Sequence, residues 1–192
     1  MRANPFAILV STTYEGPFAT HVPVVIQESG QDIIVRGHVA KANPHWRYLE
    51  LQPNCLMIFH GPHAYISPTH YETRENVPTW NYGAVHTYGT AKTFCEPEQL
   101  LLILNELIPT FEAAYHEQWE SLSEAYRKRM LSHIVGFEIT ASKIEAKFKL
   151  SQNRTRKEQQ QIIDSLSAEA DTTVSGSARL MCEHGLGLKS DK

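Results

Sequence analysis

Apolar and β-branched residues alternate with polar ones along the start of the chain, which predicts a series of short strands. The runs lie at Phe6–Thr12, Thr20–Ile26 and Asp32–His38, and each has the two-residue period of a half-buried strand. Turn residues separate them at Glu15-Gly16-Pro17 and Glu28-Ser29-Gly30. These connections are too short for crossover helices, so a parallel βαβ architecture is excluded and a small antiparallel barrel is favoured.

The rest of the chain mixes helical and strand segments. Asn43 and Pro44 supply an N-cap and a first helical residue, which predicts a short helix ending near Leu51. Further strands are predicted at Cys55–Phe59, Ala64–Ser67, Ala84–Phe94, His133–Ala141 and Lys143–Leu150. Helices are predicted from Pro97 towards Trp119 with a bend or break near Pro109, from a capping box at Ser121–Glu124 to about Ser132, and from a second box at Thr155–Glu158 to Leu166. The prediction is therefore a mainly β fold with peripheral helices.

Length and composition indicate one domain. The 192 residues are 42% hydrophobic and 20% charged, which suits a single ordinary core. From Ser167 the chain becomes rich in Ser, Thr, Ala and Gly without periodicity. We therefore expect a barrel domain over residues 1–166 and a loosely ordered tail over residues 167–192.

Charge and apolar runs narrow the functional classes. The formal net charge is -3 and the pI is about 6.4, which argues against broad nonspecific nucleic-acid binding. We find neither a secretory leader nor an apolar run of the ~20 residues that a membrane helix needs. The sequence therefore predicts a cytoplasmic protein without membrane contact.

Histidines and cysteines do not form an established metal motif. His60, His63 and His70 have a suitable ligand type, but their spacing fits no zinc pattern and no cysteine pair supports them. Cys55 lies inside an apolar strand, where a thiol is usually inert packing. Pocket or loop histidines are favoured over a metal or haem centre, and we predict no metal site.

A dense run of histidine, proline, glycine and tryptophan from Arg36 to Tyr88 indicates a binding site. A phosphate would find charge-assisted donors on Arg36, Lys41 and Asn43, with backbone N–H groups at the following helix. Gly37 would allow close backbone approach. A flat ring would suit the apolar and polar residue types of His21, Pro23, Trp80 and Asn81. The alternative, a basic strand end beside a packed aromatic loop, fits the residues equally well.

The chain resembles the FMN-binding negative transcriptional regulator family, which is called PaiB-like and belongs to the FMN-binding split barrels. The matching segments are NPFAILVST, FATHVPVV, GHVAKANPHW, FHGPHAYISP, NVPTWNYGAVHTYG, IVGFEI and KFKLSQNR. They occur in the expected order between about Asn4 and Leu166, and PTWNY and KLSQNR are specific. The resemblance implies a six-stranded antiparallel FMN-binding split barrel, a homodimer, and FMN near the subunit interface.

By similarity to split barrels, the second strand faces the flavin and the third strand with its following loop holds the phosphate. The residues implied are Thr20, His21, Val22 and Pro23 on the second strand, Arg36, Gly37, Lys41 and Asn43 on the phosphate side, and Lys149, Ser151 and Gln152 late in the chain. Trp80 and Asn81 would cover the ring or contact the partner subunit. Family members are expected to carry a further leading segment before Asn4, and its loss would expose a barrel edge and weaken the cofactor site.

Two classes of function follow from the resemblance. One is transcriptional repression, in which DNA would contact the basic segment Lys143 to Lys157, although no helix-turn-helix pattern is evident. The other is a flavin-dependent oxidoreductase that acts on a small molecule or NAD(P)H, with His21 or His38 moving a proton. A haem-handling split barrel is a weaker alternative that rests on the histidine count.

Overall fold

Strands precede most helices in the computed structural model, which describes residues 1–187. The strands are β1 (Phe6–Thr13), β2 (Gly16–Ser29), β3 (Asp32–Ala40), β4 (Asn54–Ile66), β5 (Thr79–Phe94) and β6 (Ile134–Lys149). The helices are α1 (His45–Leu51), α2 (Pro97–Glu112), α3 (Tyr115–Ser121), α4 (Glu124–Leu131), α5 (Arg156–Ser167) and α6 (Thr172–Glu183), with a 3-10 turn at Pro68–His70. The strands close into one barrel in the order β1-β2-β3-β6-β5-β4. The predicted six-stranded antiparallel split barrel is confirmed.

The predicted meander forms the start of the barrel. Thr13 pairs with Gly16 between β1 and β2, and Ser29 pairs with Asp32 between β2 and β3. Gly16 has φ +122° and Gly30 has φ +63°, conformations that favour glycine in tight turns. The third strand then pairs antiparallel with β6, so Gly37 lies opposite Phe137.

Several predicted boundaries are wrong. The segments on either side of His60–His63 form the single strand β4, and those on either side of Ser142 form the single strand β6. In β4 the buried positions shift from odd to even numbers across His60–His63, so strict alternation breaks although the strand continues. In β6 the Ser142 hydroxyl donates to the Tyr88 carbonyl at 3.2 Å, which keeps a polar residue within the sheet.

The start of α4 and the break after α2 also differ from the predicted positions. Ser123, not Ser121, caps α4, because its hydroxyl accepts from the Tyr126 N–H. Helix α2 continues through Pro109 to Glu112 before α3 begins, so the break follows the proline by a turn.

The described residues group into two compact units, and the first contains Met1–Phe59 and Val85–Glu145. Its main core is built from inward-facing strand residues and Leu49 of α1. The buried members are Ala7, Leu9, Val22, Val24, Val35, Val39, Leu49, Cys55, Met57, Phe59, Ala91, Val135, Phe137 and Ile139. A smaller cluster joins Ile103 and Leu107 of α2 to Val25 of β2. This packing holds α2 against the outer face of the second strand.

Among the described residues, the second unit contains His60–Ala84 and residues 146–187. Its core joins Ile66 of β4 to Ile162 and Leu166 of α5 and to Met181 of α6. The predicted capping box of α5 is confirmed, because Thr155 and Glu158 exchange both capping hydrogen bonds.

The segment after Ser167, which was expected to be loosely ordered, contains a helix in the structure. Residues 172–183 form α6, which is capped by the Asp171 carboxylate and buries Ala178 and Met181. Small residues hide the helical period in the sequence, and packing against α5 supplies the stability that propensity lacks. The expectation for residues 188–192 lies outside the described residues. Within residues 1–187, no helix is both long and apolar enough to cross a membrane.

Candidate functional site

Five of the predicted site residues border one cleft of about 240 Å³ in the first unit. They come from β2 and the loop after β3, and comprise Thr20, His21, Val22, Pro23 and Asn43. His38, Val39, Ala40 and Ile134 complete the lining. Val22 is 2% exposed, so its side chain belongs to the core and its backbone faces the cleft. The cleft therefore combines hydroxyl, imidazole and amide groups with apolar residues such as Pro23 and Ile134.

A buried hydrogen-bond network lies behind the cleft. His45 of α1 is fully buried, and its Nδ1 lies 2.7 Å from Thr20 Oγ1 while its Nε2 lies 2.9 Å from Ser11 Oγ. The Asn43 amide donates to Thr20 Oγ1 at 3.2 Å, and Asn43 Oδ1 accepts the His45 N–H at 3.0 Å. These bonds fix the cleft residues Thr20 and Asn43 from the inside.

Burial keeps the imidazole of this network neutral. It lowers the pKa of His45 to about 4, because no carboxylate offsets the loss of water around the ring. A neutral imidazole donates from one nitrogen and accepts at the other, so it joins the hydroxyls of Ser11 and Thr20 without a buried charge. The network is therefore intact near neutral pH.

The sequence prediction missed His45 as a site residue. Two signals were present: His45 and Leu49 lie four residues apart on one helical face, and Ser11 occupies an inward position of β1. A histidine and a serine that both face the core need partners, and each can satisfy the other.

Lys41 lies in the loop that the cleft shares, between Ala40 and Asn43. The Trp46 indole donates to the Lys41 carbonyl at 3.0 Å, which fixes the loop backbone. The Lys41 side chain is exposed. Within residues 1–187 it has no partner for an ion pair or a hydrogen bond. The ammonium group is thus available for an anion, on a loop whose neighbouring residues Ala40 and Asn43 border the cleft.

Arg36 does not line the cleft that contains Thr20, His21 and Asn43. Its guanidinium contacts Glu138 at 2.7 Å and Glu106 at 3.1 Å, with all three side chains about a quarter to a third exposed. It lines a different cleft that also contains Lys92 and Phe94. Two carboxylates therefore balance the charge of Arg36 on the outer face of β3.

Close packing around Gly37 leaves no room for a side chain. A Cβ at this position would lie 2.7 Å from Phe137 Cζ and 3.0 Å from the Pro23 carbonyl oxygen. The space beside Gly37 is thus filled by the core of the first unit.

The remaining predicted residues belong to the second unit, where the PTWNY and KLSQNR segments meet. The Ser151 hydroxyl donates to Asn81 Oδ1 at 3.0 Å, and the Asn81 amide donates to Met181 Sδ at 3.5 Å. Lys149 donates to the Thr79 hydroxyl. Asn81 is fully buried and Ser151 is 5% exposed, so in this unit both side chains serve internal contacts.

Gln152 and Trp80 are placed differently within the second unit. Gln152 closes a turn, because its Oε1 accepts the Leu150 N–H at 2.8 Å and its amide donates to the Phe148 carbonyl at 2.7 Å. Trp80 is 51% exposed and lies 6.0 Å from the rings of both His63 and Tyr65. It is thus part of an exposed aromatic group on β4 and β5.

Five of the six basic side chains between Lys143 and Lys157 contact other groups of the chain. The partners are Glu145 for Lys143, Thr79 for Lys149, Tyr71 and Asn76 for Arg154, the carbonyls of Gly185 and Gly187 for Arg156, and Glu72 for Lys157. Lys147 is exposed on β6. The segment is consequently less available for phosphate contacts than its sequence indicates.

The residues that first indicated metal or thiol chemistry have other surroundings. No group of three or more potential ligands that could hold a metal ion occurs among residues 1–187. His60 and His63 contact each other edge to face, with ring centroids 4.8 Å apart. Burial raises the pKa of the Cys55 thiol to about 12, which makes it inert as a nucleophile.

Comparison with known proteins gives strong similarity to one curated relative. The chain is 38% identical over 183 residues to the Protease synthase and sporulation protein PAI 2 of Bacillus subtilis (strain 168), covering 94% of this chain and 87% of that protein. The family described as "Putative FMN-binding domain" matches residues 1–143.

Solved structures share the fold at much lower identity. The flavocytochrome Anf3 of Azotobacter vinelandii has a TM-score of 0.57 and 17% identity, over 77% of this chain and 63% of its own. The FAD and heme binding protein of Mycobacterium smegmatis has a TM-score of 0.56 and 12% identity, over 77% and 67%. The chain thus spans less than two thirds of the flavocytochrome. On the match over residues 1–143, this chain belongs to the family described as "Putative FMN-binding domain", and it is similar over most of its length to the PAI 2 protein of Bacillus subtilis.

Proposed function

We propose that the chain binds FMN in the cleft of the first unit, as a PaiB-like regulatory flavoprotein. The observation that carries the proposal is the convergence of Thr20, His21, Pro23 and Asn43 on one cleft in a chain of the FMN-binding family. The polar groups suit the phosphate and ribityl parts of FMN, and apolar lining residues such as Pro23 and Ile134 suit a flat ring.

Lys41 is the proposed phosphate ligand. Lys41 lies between the cleft residues Ala40 and Asn43, on a loop whose backbone is fixed by Trp46, and a cation there would strengthen each hydrogen bond to phosphate oxygen. Thr20 and Asn43 add donors whose positions are set by His45. Arg36 keeps its ion pairs and supports the fold of β3.

The chemistry supplied by bound FMN is the transfer of a hydride or of single electrons. The chain contributes the orientation of the cofactor, an apolar surface that excludes water, and imidazoles that can hold a proton. Burial lowers the pKa of His38, so its ring is neutral at the edge of the cleft. This neutral imidazole favours a flavin-dependent oxidoreductase as the second candidate function.

Fluorescence titration of the purified protein with FMN tests the binding proposal. Lys41→Ala should weaken FMN binding at least tenfold, about 1.4 kcal/mol. The matched control is Lys128→Ala, which removes an exposed lysine that pairs with Glu124 on α4. Unchanged affinity of the Lys41 variant would remove this phosphate assignment, and the absence of any FMN signal would remove the proposed function.

Addition of NAD(P)H to the FMN complex separates the two candidate functions. Bleaching of the flavin absorbance supports the oxidoreductase, whereas a bound flavin that stays oxidised supports a regulatory role. For regulation through DNA, gel shifts with the promoter regions of the same organism provide the test. Binding should fall steeply with salt, since phosphate contacts release counterions.

A homodimer in the cytoplasm completes the proposal, as the resemblance to split-barrel flavoproteins, which often dimerise, implies. Light scattering after size exclusion should give twice the 21.8 kDa mass of the chain. A monomeric mass in the presence of saturating FMN would contradict the dimer.

A further inference from the structure

A second cleft lies beside the proposed FMN site, within the first unit. It has a volume of about 240 Å³ and is walled by Leu104, Leu107, Ile108 and Phe111 of α2. Pro23 and His38 line both this cleft and the proposed FMN cleft. We call the second cleft the α2 slot.

The α2 slot is mostly apolar, and its polar lining residues are His38, Glu112 and Tyr115. His38 borders the slot on the strand side, and Glu112 and Tyr115 border it on the helix side. Leu107 is 5% exposed and packs with Val25 and Ile103. Leu107 is thus anchored in the core beneath α2, whereas Phe111 is 49% exposed, so the slot is an open apolar surface fixed on its inner side.

His38 has hydrogen-bonding capacity that the chain does not use. Its Nδ1 is buried and has no hydrogen-bond partner among the described residues. A buried polar atom without a partner costs about 1–3 kcal/mol, so a ligand group that hydrogen-bonds the His38 ring would offset part of this cost. Desolvation lowers the pKa of His38, so the ring offers a donor and an acceptor without a charge.

We propose that the α2 slot binds a small neutral aromatic molecule with one hydroxyl group, a phenol. Apolar walls and the rings of Phe111 and Tyr115 suit an aromatic ring, and the His38 imidazole suits one hydroxyl. The carboxylate of Glu112 at the rim disfavours an anionic ligand.

Binding to the α2 slot does not depend on FMN. If FMN occupies the neighbouring cleft as proposed above, the phenol lies beside the flavin, because Pro23 and His38 border both sites. That position would make the phenol a substrate or an effector of the flavin. The proximity rests on the proposed function, whereas the binding itself does not.

The test is a fluorescence titration of the full chain with 2-naphthol, with and without saturating FMN. Ile108→Trp should weaken 2-naphthol binding about tenfold or more, because the larger indole would occupy the space that the ligand needs. The matched control is Leu102→Trp on the same helix, which is 65% exposed and does not line the slot. Its affinity should stay within about twofold.

His38→Phe tests the hydroxyl contact with a ring of similar shape. Loss of one hydrogen bond should weaken 2-naphthol about three- to tenfold and leave naphthalene nearly unchanged. Equal losses for both probes, no binding of either probe, or an unaffected Ile108→Trp variant would each overturn the proposal. Competition between FMN and 2-naphthol would also overturn it, because the slot would then hold the flavin ring.

Parallel FMN titrations distinguish this proposal from the function above. Failure of FMN to bind while 2-naphthol binds normally would remove the flavin function and leave the phenol site. Urea unfolding of each variant verifies that lost binding is not lost folding.

Discussion

His45 shows how one buried side chain connects the core to the candidate site. It contacts Ser11 on the core side and Thr20 on the cleft side, at 2.9 Å and 2.7 Å. A polar group so deeply buried is tolerated because each ring nitrogen has a partner. Protonation would place a charge in the core and would require the hydroxyl that donates to the ring to turn and accept instead, so the network depends on pH.

We predict that stability falls as the pH is lowered through the range set by His45. Its pKa is about 4 when folded and 6.5 ordinarily, so the unfolded chain takes up the proton first. The stabilisation is complete above about pH 6.5 and is lost towards pH 4, with a total on the order of 3 kcal/mol. Urea unfolding near pH 7 and pH 5 measures this loss.

His45→Gln is the informative variant for this dependence, since glutamine can bond both hydroxyls but does not titrate. Its stability should change less with pH than that of the wild type. His133→Gln, which removes an exposed imidazole, is the control and should retain the wild-type dependence. Identical pH profiles for His45→Gln and the wild type would contradict the assignment.

Arg36→Met should reduce stability without reducing FMN affinity. It leaves Glu106 and Glu138 partly buried without their shared cation, which costs about 1–3 kcal/mol at this intermediate exposure. Arg2→Met is the matched control, because its partner Glu28 is 61% exposed and such pairs contribute about 0–1 kcal/mol. A large loss of FMN affinity in Arg36→Met would instead return Arg36 to the phosphate site.

The elements show which sequence signals determine structure and which do not. The β1–β3 meander and the α5 capping box follow from local chemistry, and both were predicted from the sequence. Helix α6 was not, because Ser, Thr, Ala and Gly give it no periodicity and its stability comes from burying Met181 against α5. In β4, the shift of buried positions across His60–His63 hides one strand behind two short patterns.

Thr155→Ala should destabilise α5 by about 0.5–2 kcal/mol, because it removes the N-cap acceptor for the Glu158 N–H. Thr172→Ala is the matched control. Thr172 is the exposed first residue of α6, where Asp171 provides the cap. The difference between the two urea midpoints measures the cap, and equal midpoints would contradict its role.

At the scale of the whole molecule, the sequence predicted some residues of the candidate site and misplaced others. Family motifs predicted the second-strand residues and Lys41, and five residues do converge on one cleft. Sequence alone could not show that Arg36 meets Glu106 and Glu138, which lie 70 and 102 residues further along. Nor could it show that Asn81 and Ser151 bond each other, since that pair also depends on a long-range approach.

Bound FMN should stabilise the folded chain against unfolding. FMN at a hundredfold excess over its Kd should stabilise the chain by about 2.7 kcal/mol, which raises the Tm by roughly 5–10 °C for a chain of this size. Riboflavin lacks the phosphate, so at the same concentration it should raise the Tm much less if Lys41 binds that phosphate. Differential scanning fluorimetry with both ligands, on wild type and Lys41→Ala, gives the comparison. Equal shifts with FMN and riboflavin would contradict a phosphate site at Lys41, and a Lys41→Ala variant with the full FMN shift would place the phosphate elsewhere.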